Sequence, residues 1–568
     1  MKPSGLQARR SIPTAHRMLP GIDPTSPRRS PEKSTGSPPQ TRPRDSRLYI
    51  FRSPFAHTCC SSTLLCRPNS LKDAAMNPLP DSAPTAAPPT ALPHTFIDWK
   101  RAGLYMALTF STLQLLGEVG AMMAIPLYGP MSVDLSLTPA QVSWALLATL
   151  LMGAVSTALL AKTGDLFGHR RIILVCTAVI VAGYAVSAVA TSFPVLLIGR
   201  ALTGVVATQA LFIAIMNDRL SPFDRNRAVG IIAGGQAVGI TIGFALGGAM
   251  IALGASWRTT FWLGGLLTLV GLAAMYRWGS DSDAAVRNVG KPRNLNAVGL
   301  LIIGASLTSI CVGISQSTTW GVWSSPTLAF TLLGVVGLAA GLFWESRSPR
   351  PLVDTALIFS SRVLPAYLVF IALGIVGIMI LNFVMGWAQT PSQLGYGFGF
   401  TPLLAGLLFV PMTVSGIIAG RFVPRILGRT SPRSVLLIGG LSYSLSCGLL
   451  YFWHGSVAGT LVGIFLYGIA FSTLVTVAVS VIAAQAPSES GAGTASIYVS
   501  VALASSAVGT AVYAAIIGLG TTPAAPLPSA ENYGIGFLVA AAVALVAVLA
   551  GLTLSTNVSL TGSTVHGH

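Results

Sequence analysis

From residue 102 onward the chain alternates between long apolar runs and short polar turns. Fourteen runs stand out, at about 102–127, 139–160, 172–190, 194–216, 228–252, 260–276, 296–314, 327–344, 364–387, 402–420, 434–452, 457–483, 494–518 and 534–555. Each is close to the roughly 20 residues that cross a bilayer core. Backbone groups in lipid must be satisfied inside the segment, so each run is predicted as a helix. The expected fold class is therefore an all-α integral membrane protein with 14 transmembrane helices.

The turns between the runs set an orientation. Lys100 and Arg101 precede the first run, and Lys162, Arg170 and Arg171 follow the second. Arg219, Arg225 and Arg227 follow the fourth, and Arg277, Arg287, Lys291 and Arg293 the sixth. Arg347, Arg350 and Arg362 follow the eighth, and Arg421, Arg425, Arg429 and Arg433 the tenth. These are 19 of the 21 bases beyond residue 98, all in alternate turns. The positive-inside rule makes that side cytoplasmic and puts both termini there, in a cell (inner or plasma) membrane. Two bases break the pattern: Arg258, in a turn on the other side, and Arg200, inside the fourth run.

Composition agrees with a bilayer protein. Of the 568 residues 52% are apolar and 9% charged, against roughly 25% charged in soluble proteins. The mean hydropathy is +0.70. The net charge of +17 follows topology, with 13 bases in residues 1–98 and most of the rest in alternate turns, so nucleic-acid binding is not expected. Residues 1–98 are rich in Pro, Ser, Thr and Arg and cannot bury enough apolar surface to fold. Within them Met76 opens a shorter polar tail, so residues 1–75 read as either a mis-assigned upstream start or a disordered cytosolic tail. The six cysteines and seven histidines show no ligand spacing, and no metal or cofactor is expected. No turn carries the clustered His, Asp or Cys that a membrane-embedded enzyme needs.

A few polar residues interrupt the apolar runs. The turn "LLAKTGDLFGHRRIILV" (159–175) holds Gly164, Asp165, Gly168, His169, Arg170 and Arg171. Its glycines permit a tight bend, and its carboxylate can cap a helix or clamp an arginine. Arg200 costs about 2.5–3.5 kcal/mol at membrane depth unless it finds a partner, a watery cavity or a way to snorkel outward. Gly235, Gly239, Gly243 and Gly247 are four apart on one helical face, which lets another backbone approach closely. Glu118 is a lone carboxylate roughly 15 Å from the outer end of its run, at 1.5 Å per residue. It is either a neutral, hydrogen-bonded structural group or a functional one.

These stretches, taken together, resemble the major facilitator superfamily. The turn at 159–175 resembles its loop G-x-x-x-D-x-x-G-R-[RK]: Asp165, Gly168 and Arg170 fit, while Ala161, Leu166 and His169 depart. Arg200, Thr203 and Gly204 resemble the R-x-x-q-G element of helix 4. Gly230, Gly239, Gly243, Gly247 and Gly248 register on the antiporter motif of helix 5, with Phe244 in place of its proline. Glu118, Ala124, Pro126, Asp134, Leu135 and Trp144 resemble the first helix and turn of the fourteen-helix drug/proton antiporter branch. "SWRTTFW" (256–262), residues 344–362 and residues 400–411 resemble further elements of it. The basic turn at 420–433 echoes the one at 159–175, with Arg425 in the place of Asp165, as expected of repeated halves.

The resemblance implies two pseudo-symmetric six-helix halves, 99–277 and 364–555, around a central cavity. Two inserted helices lie in 278–363, and 556–568 forms a cytoplasmic tail. It implies proton-coupled efflux of lipophilic or cationic compounds, of multidrug type, by alternating access. The alternative is a family member moving another substrate, as a metabolite exporter or an importer. Glu118 would accept the proton with Arg200 as its partner, and the turn at 159–175 would act as a cytoplasmic gate. Gln114, Gln209, Gln236 and Asn382 are the candidate polar contacts of the cavity. The partners implied are a small-molecule substrate, protons and the lipid bilayer.

Overall fold

The computed structural model describes residues 98–137, 139–206, 208–279, 298–348, 358–485, 491–520 and 528–554. The expectations for residues 1–75, Met76 and the tail at 556–568 lie outside the described residues. So do Arg287, Lys291, Arg293 and Arg350.

Among the described residues the secondary structure is helical, with no strand. Fourteen helices are long and apolar enough to cross a membrane. They are α1 (Leu104–Asp134), α2 (Pro139–Phe167), α3 (His169–Ala188), α4 (Phe193–Thr203 and Thr208–Arg219), α5 (Pro222–Ala252), α6 (Trp257–Trp278) and α7 (Val298–Ser315). Then come α8 (Ser325–Arg347), α9 (Leu364–Gln389), α10 (Pro402–Leu427), α11 (Pro432–Trp453), α12 (Val457–Gln485), α13 (Gly491–Ile517) and α14 (Ala530–Thr553). The polar turns supply the caps. Ser221, Ser256, Ser324, Thr401, Ser431 and Ser529 each accept a backbone N–H in the first turn of the helix that follows. Pro222, Pro402 and Pro432 then open α5, α10 and α11, where a missing N–H costs nothing.

Three runs differ from the sequence expectation. α1 does not stop near residue 127: it passes through a 3-10 turn at Ile125–Leu127, where Pro126 lacks an N–H, and continues to Asp134. α2 extends to Phe167 and carries Lys162 and Asp165 on its last turns. α4 is interrupted, with Gly204, Val205 and Val206 outside helical structure.

Packing follows the small residues. α1 lies along the Gly235, Gly239, Gly243 and Gly247 face of α5, as their spacing implied. Gly230 and Gly248 point elsewhere, toward α10: they stand against Gly420 and against Pro402 and Leu403. α5 and α10 thus touch near both ends. Between those ends Thr241 and Thr413 share a hydroxyl–hydroxyl bond of 2.6 Å, and Phe244 stacks on Phe409. α2 runs against α13, and α7 pairs with α8. α9 is the most enclosed of the fourteen spans and α8 the least. Large apolar side chains such as Leu332, Val336 and Phe343 on α8 face outward, as a lipid-facing helix requires.

Candidate functional site

Glu118 lies midway along α1, one turn beyond Gln114. That i, i+4 spacing puts the two on one face. Gln114 Nε2 donates to Glu118 Oε1 at 3.0 Å. Gln236 Nε2, from α5, donates to the same oxygen at 2.8 Å. No hydrogen bond reaches Oε2 from a described residue. The close approach that lets Gln236 reach across depends on Gly239, one turn further along α5. A Cβ there would stand 2.7 Å from the Leu115 carbonyl oxygen and 2.8 Å from Glu118 Cβ.

Glu118 opens on a cavity of about 160 Å³. Its polar wall includes Gln114, Thr149, Tyr184, Arg200 and Thr203, and its apolar wall includes Leu150, Ile173 and Phe212. The volume is near that of an engineered cavity that holds one benzene. The wall is built from α1, α2, α3, α4 and α6, and α13 adds only Leu503. This cavity lies among the first six helices with Leu503 of α13 at its edge, while α5, which adds no wall residue, meets α10 along a separate seam.

Arg200 is 1% exposed, so it does not snorkel. Its Nε donates to the Ala145 carbonyl at 3.1 Å, and its guanidinium lies 5.6 Å from the Phe261 ring centre. Nη1 and Nη2 have no hydrogen-bond partner at ordinary length among the described residues. The Tyr184 phenol faces the guanidinium as a longer, weaker hydrogen-bond partner, and the Tyr128 phenol stands within electrostatic range of it. The expected pairing with Glu118 is not made: among the described residues no ion pair joins the two, although both line one cavity. The carboxylate is occupied by amides, and the arginine is turned to a carbonyl and an aromatic face.

The interruption of α4 follows directly after Arg200. Gly204 and the two β-branched residues behind it are weak helix formers. Hydroxyls of α2 add to the carbonyls around the break. Thr149 Oγ1 donates to Arg200 O at 2.9 Å, which also keeps the Gly204 N–H, Ser156 Oγ lies 3.4 Å from Gly204 O, and Thr157 Oγ1 meets Val206 O. Sequence reasoning missed these three hydroxyls. Their signal was the pairing of small polar residues on α2 with a Gly-Val-Val break in α4.

The turn between α2 and α3 is held within the same six helices. Gly168 has φ 99°, a conformation that favours glycine. Asp165 Oδ1 lies 3.1 Å from Nε2 of His169, which is buried. Gly164 leaves room for Leu211 of α4. Arg170 Nη2 donates to the Tyr276 carbonyl at 2.6 Å, capping the last turn of α6, while Arg171 is exposed.

The other candidate contacts divide. Gln114 lines the cavity and Gln236 supports Glu118 from behind it. Gln209 is half-buried and lies off the cavity wall. Asn382 is 3% exposed, its Nδ2 donates to the Ile378 carbonyl at 2.8 Å, and it lies off this cavity's wall.

A profile of the Major Facilitator Superfamily matches residues 110–510. An MFS-type transporter of Mycobacterium tuberculosis is 27% identical over 355 residues, covering 60% of this chain and 48% of that protein. The tetracenomycin C resistance and export protein of Streptomyces glaucescens is 28% identical over 305 residues, 51% of this chain and 54% of that protein. The multidrug resistance protein Stp of Mycobacterium tuberculosis is 26% identical over 369 residues, 63% and 64% of the two chains. The chain thus spans about half the length of the first of these relatives. Among solved structures, the human organic anion transporter MFSD10 aligns with a TM-score of 0.57 at 16% identity, over 80% of this chain and all of that one. A peptide transporter aligns with a TM-score of 0.54 at 17% identity, over 80% and 93% of the two chains.

Proposed function

The chain belongs to the major facilitator superfamily, and on that premise we propose that it exports small lipophilic compounds in exchange for protons by alternating access. It is a multi-pass membrane transporter rather than an enzyme. The observation that carries the proton step is Glu118. It is the only carboxylate on the cavity wall, with one oxygen fixed by two amides and the other left for a proton. A carboxylate in that setting can exchange a proton with whichever side water reaches. The apolar wall supports a lipophilic cargo, and two of the relatives carry export or multidrug resistance in their names.

On this reading 99–277 and 364–555 are the two moving halves and 278–363 is an insertion. On the same reading the protein crosses the cell (inner or plasma) membrane with both termini in the cytoplasm, since the basic turns share one side. The small volume of the cavity keeps the second reading open, a family member that moves a compact metabolite.

The deciding experiment uses the purified chain in liposomes with an imposed pH gradient and a lipophilic fluorescent dye. Wild type is expected to concentrate dye only while the gradient lasts. Glu118→Gln should abolish uphill movement and retain downhill exchange, and Glu118→Asp should keep part of both. A Glu118→Gln protein that still concentrates dye on pH alone would remove Glu118 from the mechanism.

A further inference from the structure

Arg200 presents a charge that no carboxylate among the described residues pairs with. A guanidinium stays protonated under all ordinary conditions. This one is 1% exposed and lines the cavity, yet two of its three nitrogens have no acceptor at ordinary length. One of its faces is taken by Phe261 and its Nε by Ala145 O, which leaves the fork of Nη1 and Nη2. A second buried donor nearby, the Tyr128 hydroxyl, is also without a partner. The one carboxylate on the wall, Glu118, is held by two amides and forms no ion pair with it. Buried charges in proteins are normally paired and hydrogen-bonded.

We propose that the cavity binds a compact organic acid, one ring bearing a carboxylate, with the acid seated on the Nη1/Nη2 fork of Arg200. A planar guanidinium fork matches a carboxylate through two parallel hydrogen bonds. The ring then meets Leu150, Ile173 and Phe212, and a volume of about 160 Å³ admits one ring rather than several. The inference deepens the transport reading and rests on it for direction alone. It replaces the cationic half of the expected cargo with an anionic one. Export of an anion against entry of a proton moves charge one way, so it also makes transport respond to the membrane potential.

The test is binding to the full-length chain in lipid nanodiscs by titration calorimetry, with three probes of one size: benzoate, benzamide and benzylammonium. Benzoate is expected to bind about tenfold or more tightly than benzamide, the usual margin of a charge-assisted pair, with benzylammonium weakest. Arg200→Gln should bring benzoate down to the level of benzamide and leave benzamide nearly unchanged. Arg200→Lys should retain part of the preference. Tyr184→Phe, a milder change at a residue of the cavity wall, should weaken benzoate selectively. Equal binding of the three probes by wild type, a preference for benzylammonium, or no binding at millimolar concentrations would overturn the proposal. So would an Arg200→Gln protein that keeps the preference. Chloride that displaces benzoate at equal concentration would also overturn it, by showing a site for small inorganic anions. The two readings fail separately: benzoate selectivity without proton-driven dye efflux sinks only the coupling, and the converse sinks only the acid site.

Discussion

Arg258 Nη1 lies 2.6 Å from Asp134 Oδ2, and this pair ties the end of α1 to the start of α6. Trp257 Nε1 donates to the same oxygen at 3.1 Å, and Arg258 Nη2 reaches the Ala190 carbonyl at 3.0 Å. The one base in a turn opposite the others is therefore committed to three turns of its own bundle. Asp134→Asn and Arg258→Gln are each expected to lower the melting temperature of the purified protein slightly. The double variant should fall by less than the sum of the two single losses, because contacting partners do not add. Additive losses in that cycle would show that the pair is incidental.

Gly239→Ala tests the approach of α5 to Glu118. Its Cβ would press on the Leu115 carbonyl and on Glu118 Cβ. Overpacking of this kind costs about 1–3 kcal/mol. Transport should fall well before expression does, and an unchanged transport rate with normal stability would show that the helices part without consequence.

Thr157→Val removes the hydroxyl that meets Val206 O at the interruption of α4. An unsatisfied buried carbonyl costs about 1–3 kcal/mol. Both lower thermal stability and faster labelling of a cysteine placed at Val205 are expected. Labelling at the wild-type rate would mean that the break is held without α2.

Gly168→Ala forces a side chain into a positive φ outside the left-handed helical well, at a cost on the order of 1–3 kcal/mol. Asp165→Asn keeps the backbone and alters the contact with His169. On the gating reading both variants insert normally and turn over more slowly. Wild-type rates in Asp165→Asn, measured in the dye assay, would reduce the turn to a fixed connector.

What the sequence revealed and what it hid follow from the physics of each feature. Runs of apolar residues display their number plainly, because lipid admits no other composition. The four-residue glycine spacing on α5 displayed a packing face, and α1 occupies it. The break in α4 stayed hidden, since Gly204-Val205-Val206 is as apolar as the helix around it. Asn382 misled for a related reason. A short polar side chain in a helix can satisfy itself on the carbonyl four residues back, so polarity in an apolar run does not tell direction. The separation of Glu118 from Arg200 was equally invisible, because opposite charges at similar depth need not share a helix face.

Gln236 and Ala237 are neighbours on α5, yet they serve opposite sides of it. Gln236 holds the Glu118 carboxylate, while the Ala237 carbonyl accepts from Thr413 of α10 at 3.0 Å. α5 is thus a rod gripped on one flank by the acid and on the other by the second bundle. The two contacts lie one residue apart on a single stretch of backbone. The acid and the seam with α10 therefore share one short mechanical link.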